Sequence, residues 1–93
     1  MGTEGSLTEL RELINKTDDE LVSAFVKRME LVGKIGKLKQ EAGLPVFDAS
    51  REQAVKERVL AGVPDELKPY VDKLYDSVFF VAKEYEQGKT DEI

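Results

Sequence analysis

Histidine, cysteine and tryptophan are all missing from this chain of 93 residues, and two of those absences remove whole classes of chemistry. Without cysteine there is no disulfide and no thiolate nucleophile. Without histidine as well, Cys/His zinc sites and Ser-His-Asp triads cannot be assembled. Proline is scarce, at three residues, and glycine occurs seven times, so both act as punctuation rather than as a compositional bias. Basic residues are outnumbered. The 14 Lys and Arg face 19 Asp and Glu, a net charge of −5, the opposite of the basic footprint of a nucleic-acid binder. No apolar run approaches the roughly 20 residues of a membrane span, and no signal-peptide-like apolar stretch follows Met1. What is present is a globular mixture, 41% hydrophobic and 35% charged. The expectation is a cytoplasmic protein of one domain over residues 1–93, with neither nucleic acid nor membrane as partner. A chain this short buries only about 60–65% of its unfolded surface, so oligomerisation is a reasonable way to complete its core.

Three glycine-bearing breaks divide the sequence: Gly43-Leu44-Pro45, Gly62-Val63-Pro64 and Gly88. Alternation of period two is sustained nowhere, which makes the reading all-α, with three helices over about 7–42, 49–61 and 65–87. Ser6-Leu7-Thr8-Glu9 has the form of a capping box and would open the first helix. Leu7, Leu10, Ile14, Leu21, Ala24, Leu31, Ile35, Leu38 and Ala42 then recur by threes and fours, a heptad seam. Gly33 and Gly36 cost about 1 kcal/mol each relative to Ala without ending the pattern. A helix of about 36 residues is about 54 Å long. One small chain cannot cover it, so a partner chain along the seam is expected. Asp48 would cap the second helix, which passes through Val55 and Val59 to stop at Gly62. The third has its seam at Val71, Leu74, Val78, Val81 and Tyr85, with Phe79 and Phe80 read as core and residues 88–93 as a frayed tail.

Polar side chains interrupt the first seam at Thr17 and Arg28. The Thr17 hydroxyl can bond the backbone one turn earlier. Arg28 keeps its proton, so its burial demands a carboxylate or carbonyl partner. A register-fixing ion pair and an anion site both meet that demand. Lys39 follows within about 20° of the same helical face. Arg11 lies about 100° around the helix from Arg28, so one straight helix does not offer both to one ligand. Across a dimer seam, Arg11 of one chain could reach the site of the other. Asp48, Arg51 and Glu52 share a face of the second helix, an arrangement that a solvated salt-bridge cluster also explains. Pattern alone therefore gives a three-helix, dimeric protein with a candidate cationic pocket. It gives no reaction.

A larger set of residues carries more. Leu10-Arg11-Glu12-Leu13-Ile14, Asp18, Leu21, Arg28, Ile35-Gly36-Lys37-Leu38-Lys39 and Pro45-Val46-Phe47-Asp48-Ala49-Ser50-Arg51-Glu52-Gln53 closely resemble the all-helical (AroQ-class) chorismate mutases. The match covers residues 7–60 and persists over 61–87 as helix length and apolar pattern. The resemblance implies an intertwined homodimer of three-helix chains that rearranges chorismate to prephenate, at the entry to phenylalanine and tyrosine synthesis. By the same resemblance Arg28 would hold one substrate carboxylate and Arg11 of the partner chain the other. Lys39 would donate to the ether oxygen of the breaking bond. Glu52 and the Asp48 backbone region would bind the ring hydroxyl, and Arg51 would orient a carboxylate. Such a unimolecular shift asks for no nucleophile, metal or cofactor, so a chain without Cys and His is not handicapped. Catalysis would consist of holding the ether in its reactive shape and stabilising charge on its oxygen.

The third helix departs from the family pattern. Aligned through Tyr70, Leu74 and Val78, it puts Ala82 where the family usually has Ser, and Glu86 where it usually has Gln. Ala82 cannot donate a hydrogen bond. Glu86 can donate to the ether oxygen only when protonated, which predicts activity that rises as pH falls, and Gln87 is the alternative one residue on. Two rival readings accompany the mutase: an isochorismate pyruvate-lyase on the same architecture, and a non-catalytic helical dimer or regulatory module. Met1 and the polar tail favour a free-standing enzyme.

Overall fold

The computed structural model describes the backbone of residues 3–91 and the side chains of residues 5–88. Its elements are α1 (Thr3–Ala42), α2 (Ala49–Ala61) and α3 (Lys68–Asp91), with one turn of 3-10 helix at Asp65–Leu67 before α3. Among the described residues there is no strand, and no helix is long and apolar enough to cross a membrane. Internal contacts divide the chain into two units, residues 1–31 and residues 32–93.

The first unit consists of helix from α1. Every residue from Gly5 to Lys27 is exposed, and the apolar seam is open to water, with Leu10 at 57% and Leu21 at 58% exposure. Helices in proteins draw most of their stability from burying such a stripe. Within this unit the Thr17 hydroxyl donates to the Leu13 carbonyl at 3.0 Å, one turn back.

In the second unit α2 and α3 pack on each other. Val32, Val55, Phe79 and Ala82 are its buried hydrophobic side chains. Tyr75 meets Phe79 edge-on, with ring centroids 5.7 Å apart, a favoured aromatic geometry. Lys56 of α2 bridges to Asp72 and Asp76 of α3. Those carboxylates, Asp76 first, raise the Lys56 ammonium above its ordinary pKa.

Four expectations are corrected. First, α1 starts at Thr3, so Ser6 stands inside the helix rather than capping it; water can satisfy the first amides of an exposed helix. Second, the third helix is preceded by a 3-10 turn at 65–67 and begins as α-helix at Lys68, with Pro69 accommodated in its first turn. Third, Gly88 does not stop α3, which continues to Asp91, since one helical glycine costs only about 1 kcal/mol; of the tail read as frayed, residues 92–93 lie outside the described residues. Fourth, Phe79 is buried but Phe80 is 61% exposed. Neighbours on a helix point about 100° apart, so one core does not take both.

Candidate active site

The path of the chain after α1 is set by Gly43, the one described residue with a left-handed backbone, at φ 69°. In that conformation Gly43 N–H donates to the Gln40 carbonyl at 3.1 Å and Leu44 N–H to the Lys39 carbonyl at 2.8 Å. This paired closure is the Schellman motif, and glycine adopts it without the strain a Cβ would bring. It turns the chain back over Lys39. The Lys39 ammonium in turn donates to the Val46 carbonyl at 2.8 Å. Lys39 thus holds the connecting segment by its carbonyl and by its side chain.

The same ammonium lies 3.5 Å from Glu86 Oε2 of α3. Glu86 is the buried charged residue among the described residues, at 7% exposure, and its buried Oε2 accepts no hydrogen bond. Gly36 makes this approach possible. A Cβ built there would stand 2.9 Å from Glu86 Cγ, closer than real Cβ contacts come, and 3.4 Å from the Glu86 carbonyl oxygen. The glycine counted in the sequence as a helix cost is therefore the place where α3 comes against α1. Gln87, the alternative to Glu86, is exposed, and Ala82 is buried one turn before Glu86.

A second group forms where α2 begins. Asp48 caps α2, its carboxylate accepting from Arg51 N–H at 3.0 Å and from the Ser50 hydroxyl at 3.1 Å. The Arg51 amide first, then the Ser50 hydroxyl, hold the Asp48 carboxyl below its ordinary value, and Lys39 adds to this by its charge. Asp48 and Arg51 are exposed while Glu52 is half-buried. Glu52 pairs outside its own helix, with the Lys83 ammonium 3.3 Å from its Oε2. That ammonium also stands 4.5 Å from the centroid of the Phe47 ring, within cation–π range.

The second unit therefore brings Lys39 to Glu86 and sets Asp48, Arg51 and Glu52 on the first turn of α2. Arg11 and Arg28 belong to the first unit, Arg11 exposed and Arg28 half-buried with its Nη1 atom buried. Sequence reasoning missed Lys83, Phe47 and the Val46 carbonyl. A basic residue at 83, next to the Ala82 position already aligned, was the available signal for the first. Among the described residues no three carboxylates gather as a metal site. Chemically, Lys39 beside Glu86 and Lys83 beside Glu52 form a set able to bind an anion that also carries a hydroxyl.

The sequence matches the family model described as chorismate mutase type II over residues 10–87. It is similar to the T-protein of Haemophilus influenzae, 44% identical over 50 residues that make up 54% of this chain and 13% of that protein. The T-protein of Enterobacter agglomerans is 38% identical over 66 residues, covering 66% of this chain and 18% of that one. The bifunctional chorismate mutase/prephenate dehydratase of Escherichia coli is 37% identical over 60 residues, covering 64% and 16%. The chain spans less than one fifth of the length of these relatives. No solved structure matches it.

Proposed function

The chain belongs to the chorismate mutase type II family, and on that premise we propose that it is itself a chorismate mutase of aromatic amino acid biosynthesis. It would act in the cytoplasm as a homodimer. The reaction breaks the ether C–O bond of chorismate and forms a C–C bond within the same molecule, giving prephenate. No proton, electron or group is exchanged with the protein, so its side chains have to hold the dianion folded and stabilise charge on the ether oxygen.

In this reading Lys39 donates to the ether oxygen, and Glu86, when protonated, donates to it from the opposite helix. Arg28 binds one carboxylate by a two-pronged contact suited to a planar anion. Arg11 of the second chain binds the other, and Arg51 helps orient it. Glu52, with the Asp48 backbone, receives the ring hydroxyl. The observation that carries the reading is the meeting of Lys39 with the buried Glu86 carboxylate across α1 and α3. Apolar residues of equal volume would serve a core as well or better, so such a pair adds little to stability. The open seam of residues 7–31 supports the second chain, since its apolar side chains are exposed in one copy.

The test is the ultraviolet loss of chorismate on adding the purified chain, with the product identified chromatographically, at mildly acidic and neutral pH. Prephenate should form. Arg28→Ala should abolish turnover. No turnover at either pH would contradict the mutase reading, and release of pyruvate from isochorismate would replace it with the lyase.

A further inference from the structure

The carboxylate assigned above to the ring hydroxyl does not stand alone. Lys83 lies on α3 between Ala82 and Glu86, and its ammonium is 3.3 Å from Glu52 Oε2. The Phe47 ring, 4.5 Å from the same ammonium, fixes it from a second side. Phe47 precedes the α2 cap Asp48, and Glu52 lies in the first turn of α2, so one side chain ties that helix start to α3. Both members are partly withdrawn from water, with side-chain exposures of 37% for Lys83 and 26% for Glu52. The connecting segment is thus gripped by two lysines, Lys39 at the Val46 carbonyl and Lys83 at the Phe47 ring.

Charge decides what this arrangement does. A bare, half-buried carboxylate is a poor neighbour for a dianion, because like charges repel more strongly as water is excluded. An ammonium on one of its oxygens cancels most of that repulsion and fixes the carboxylate plane. The pair uses Oε2, so Oε1 is the atom left to accept a hydroxyl. We propose that Lys83 is a positioning residue of the site, neutralising and orienting Glu52 so that a dianionic substrate bearing a ring hydroxyl is admitted beside it. This rests on the mutase reading. Lys83 acts through Glu52 and does not touch the substrate.

Steady-state kinetics on the full chain with chorismate test it, using Lys83→Met, Lys83→Gln, Lys83→Arg, Glu52→Gln and the Lys83→Met/Glu52→Gln double variant. Lys83→Met and Lys83→Gln should each raise KM about fivefold, the upper end for a partly exposed ion pair, with kcat little changed. Lys83→Arg should restore most of the loss. In the Glu52→Gln background, Lys83→Met should move KM less than about twofold, because the charge it compensates is gone. The Phe47 ring proton resonances should shift on Lys83→Met, reporting the contact apart from turnover. An equal KM increase in both backgrounds would overturn the proposal in favour of a direct contact between Lys83 and the substrate. Lower thermal stability with unchanged KM would overturn it in favour of a structural strut. A parent chain inert toward chorismate would sink the mutase reading and this inference with it, whereas an active parent with unchanged Lys83 variants would sink the inference alone.

Discussion

The two units of this chain carry similar amphipathic patterns, and only the second buries any of its apolar side chains. Over residues 32–88 part of the pattern is buried: Val32, Val55, Phe79 and Ala82 go out of water within one chain, while Ile35, Leu38, Leu74 and Phe80 stay exposed. Over residues 5–27 the same kind of pattern is left exposed throughout. The difference teaches what periodicity reports. A heptad seam states that a face must be covered; it does not state by what. Charge follows the same division. In the second unit four lysines stand beside carboxylates, Lys39 at Glu86, Lys83 at Glu52, Lys56 at Asp72 and Asp76, and Lys68 at Asp65. The first unit holds Arg11 exposed beside its open stripe, where a second chain would bring it into use.

The sharpest way to break the comparison is to remove the lysine on which the second unit converges. Lys39→Ala should lower kcat for chorismate about 10²–10³-fold, as the loss of a preorganised donor does, while a circular dichroism spectrum stays helical. Next in size is an attack on the open stripe. Leu21→Glu should convert a dimer to a monomer by sedimentation and cost about a hundredfold in turnover, because the site would lose the second chain's arginine. A helical monomer with full activity would show that the stripe serves something else.

Smaller effects test the packing. Gly36→Ala gains about 1 kcal/mol of helix propensity but drives a Cβ into Glu86. Overpacking of that kind costs about 1–3 kcal/mol, so the net should be a loss of about 1 kcal/mol, read as a fall of about 5 °C in Tm. The smallest effect concerns Asp48. Its folded carboxyl lies below the ordinary 3.8, so the native state binds fewer protons than the unfolded one near that value. Its contribution to stability is therefore present above pH 3.8 and lost as pH falls through the lowered folded value. Asp48→Asn should flatten Tm against pH in that acidic window, with a slightly lower neutral Tm and a difference from the parent that closes as pH falls.

Much of this architecture is legible in the sequence. Three helices, the break at Gly43 and the cap at Asp48 each follow from one local rule, and local rules act wherever the residues occur. The helix ends were less legible. Ser6 reads as a cap and Gly88 as a stop, yet both sit within helices, because an exposed helix end costs little to extend. Least legible were contacts between elements. Nothing in the spacing of Lys83 announces that its ammonium reaches Glu52 and the Phe47 ring. Gly36 reads as a local cost, and only the approach of Glu86 gives it a reason. Spacing orders residues around one helix; the meeting of two helices depends on shapes that no single segment contains.

We propose above that Arg11 of one copy serves the site to which Lys39 of another belongs. Mixing two damaged chains tests it directly. Arg11→Ala and Lys39→Ala should each be nearly inactive alone. After joint unfolding and refolding in equal amounts, half the dimers should be mixed and each should hold one intact site, restoring about a quarter of the parent turnover. A mixture no more active than its two components would contradict a site shared between chains.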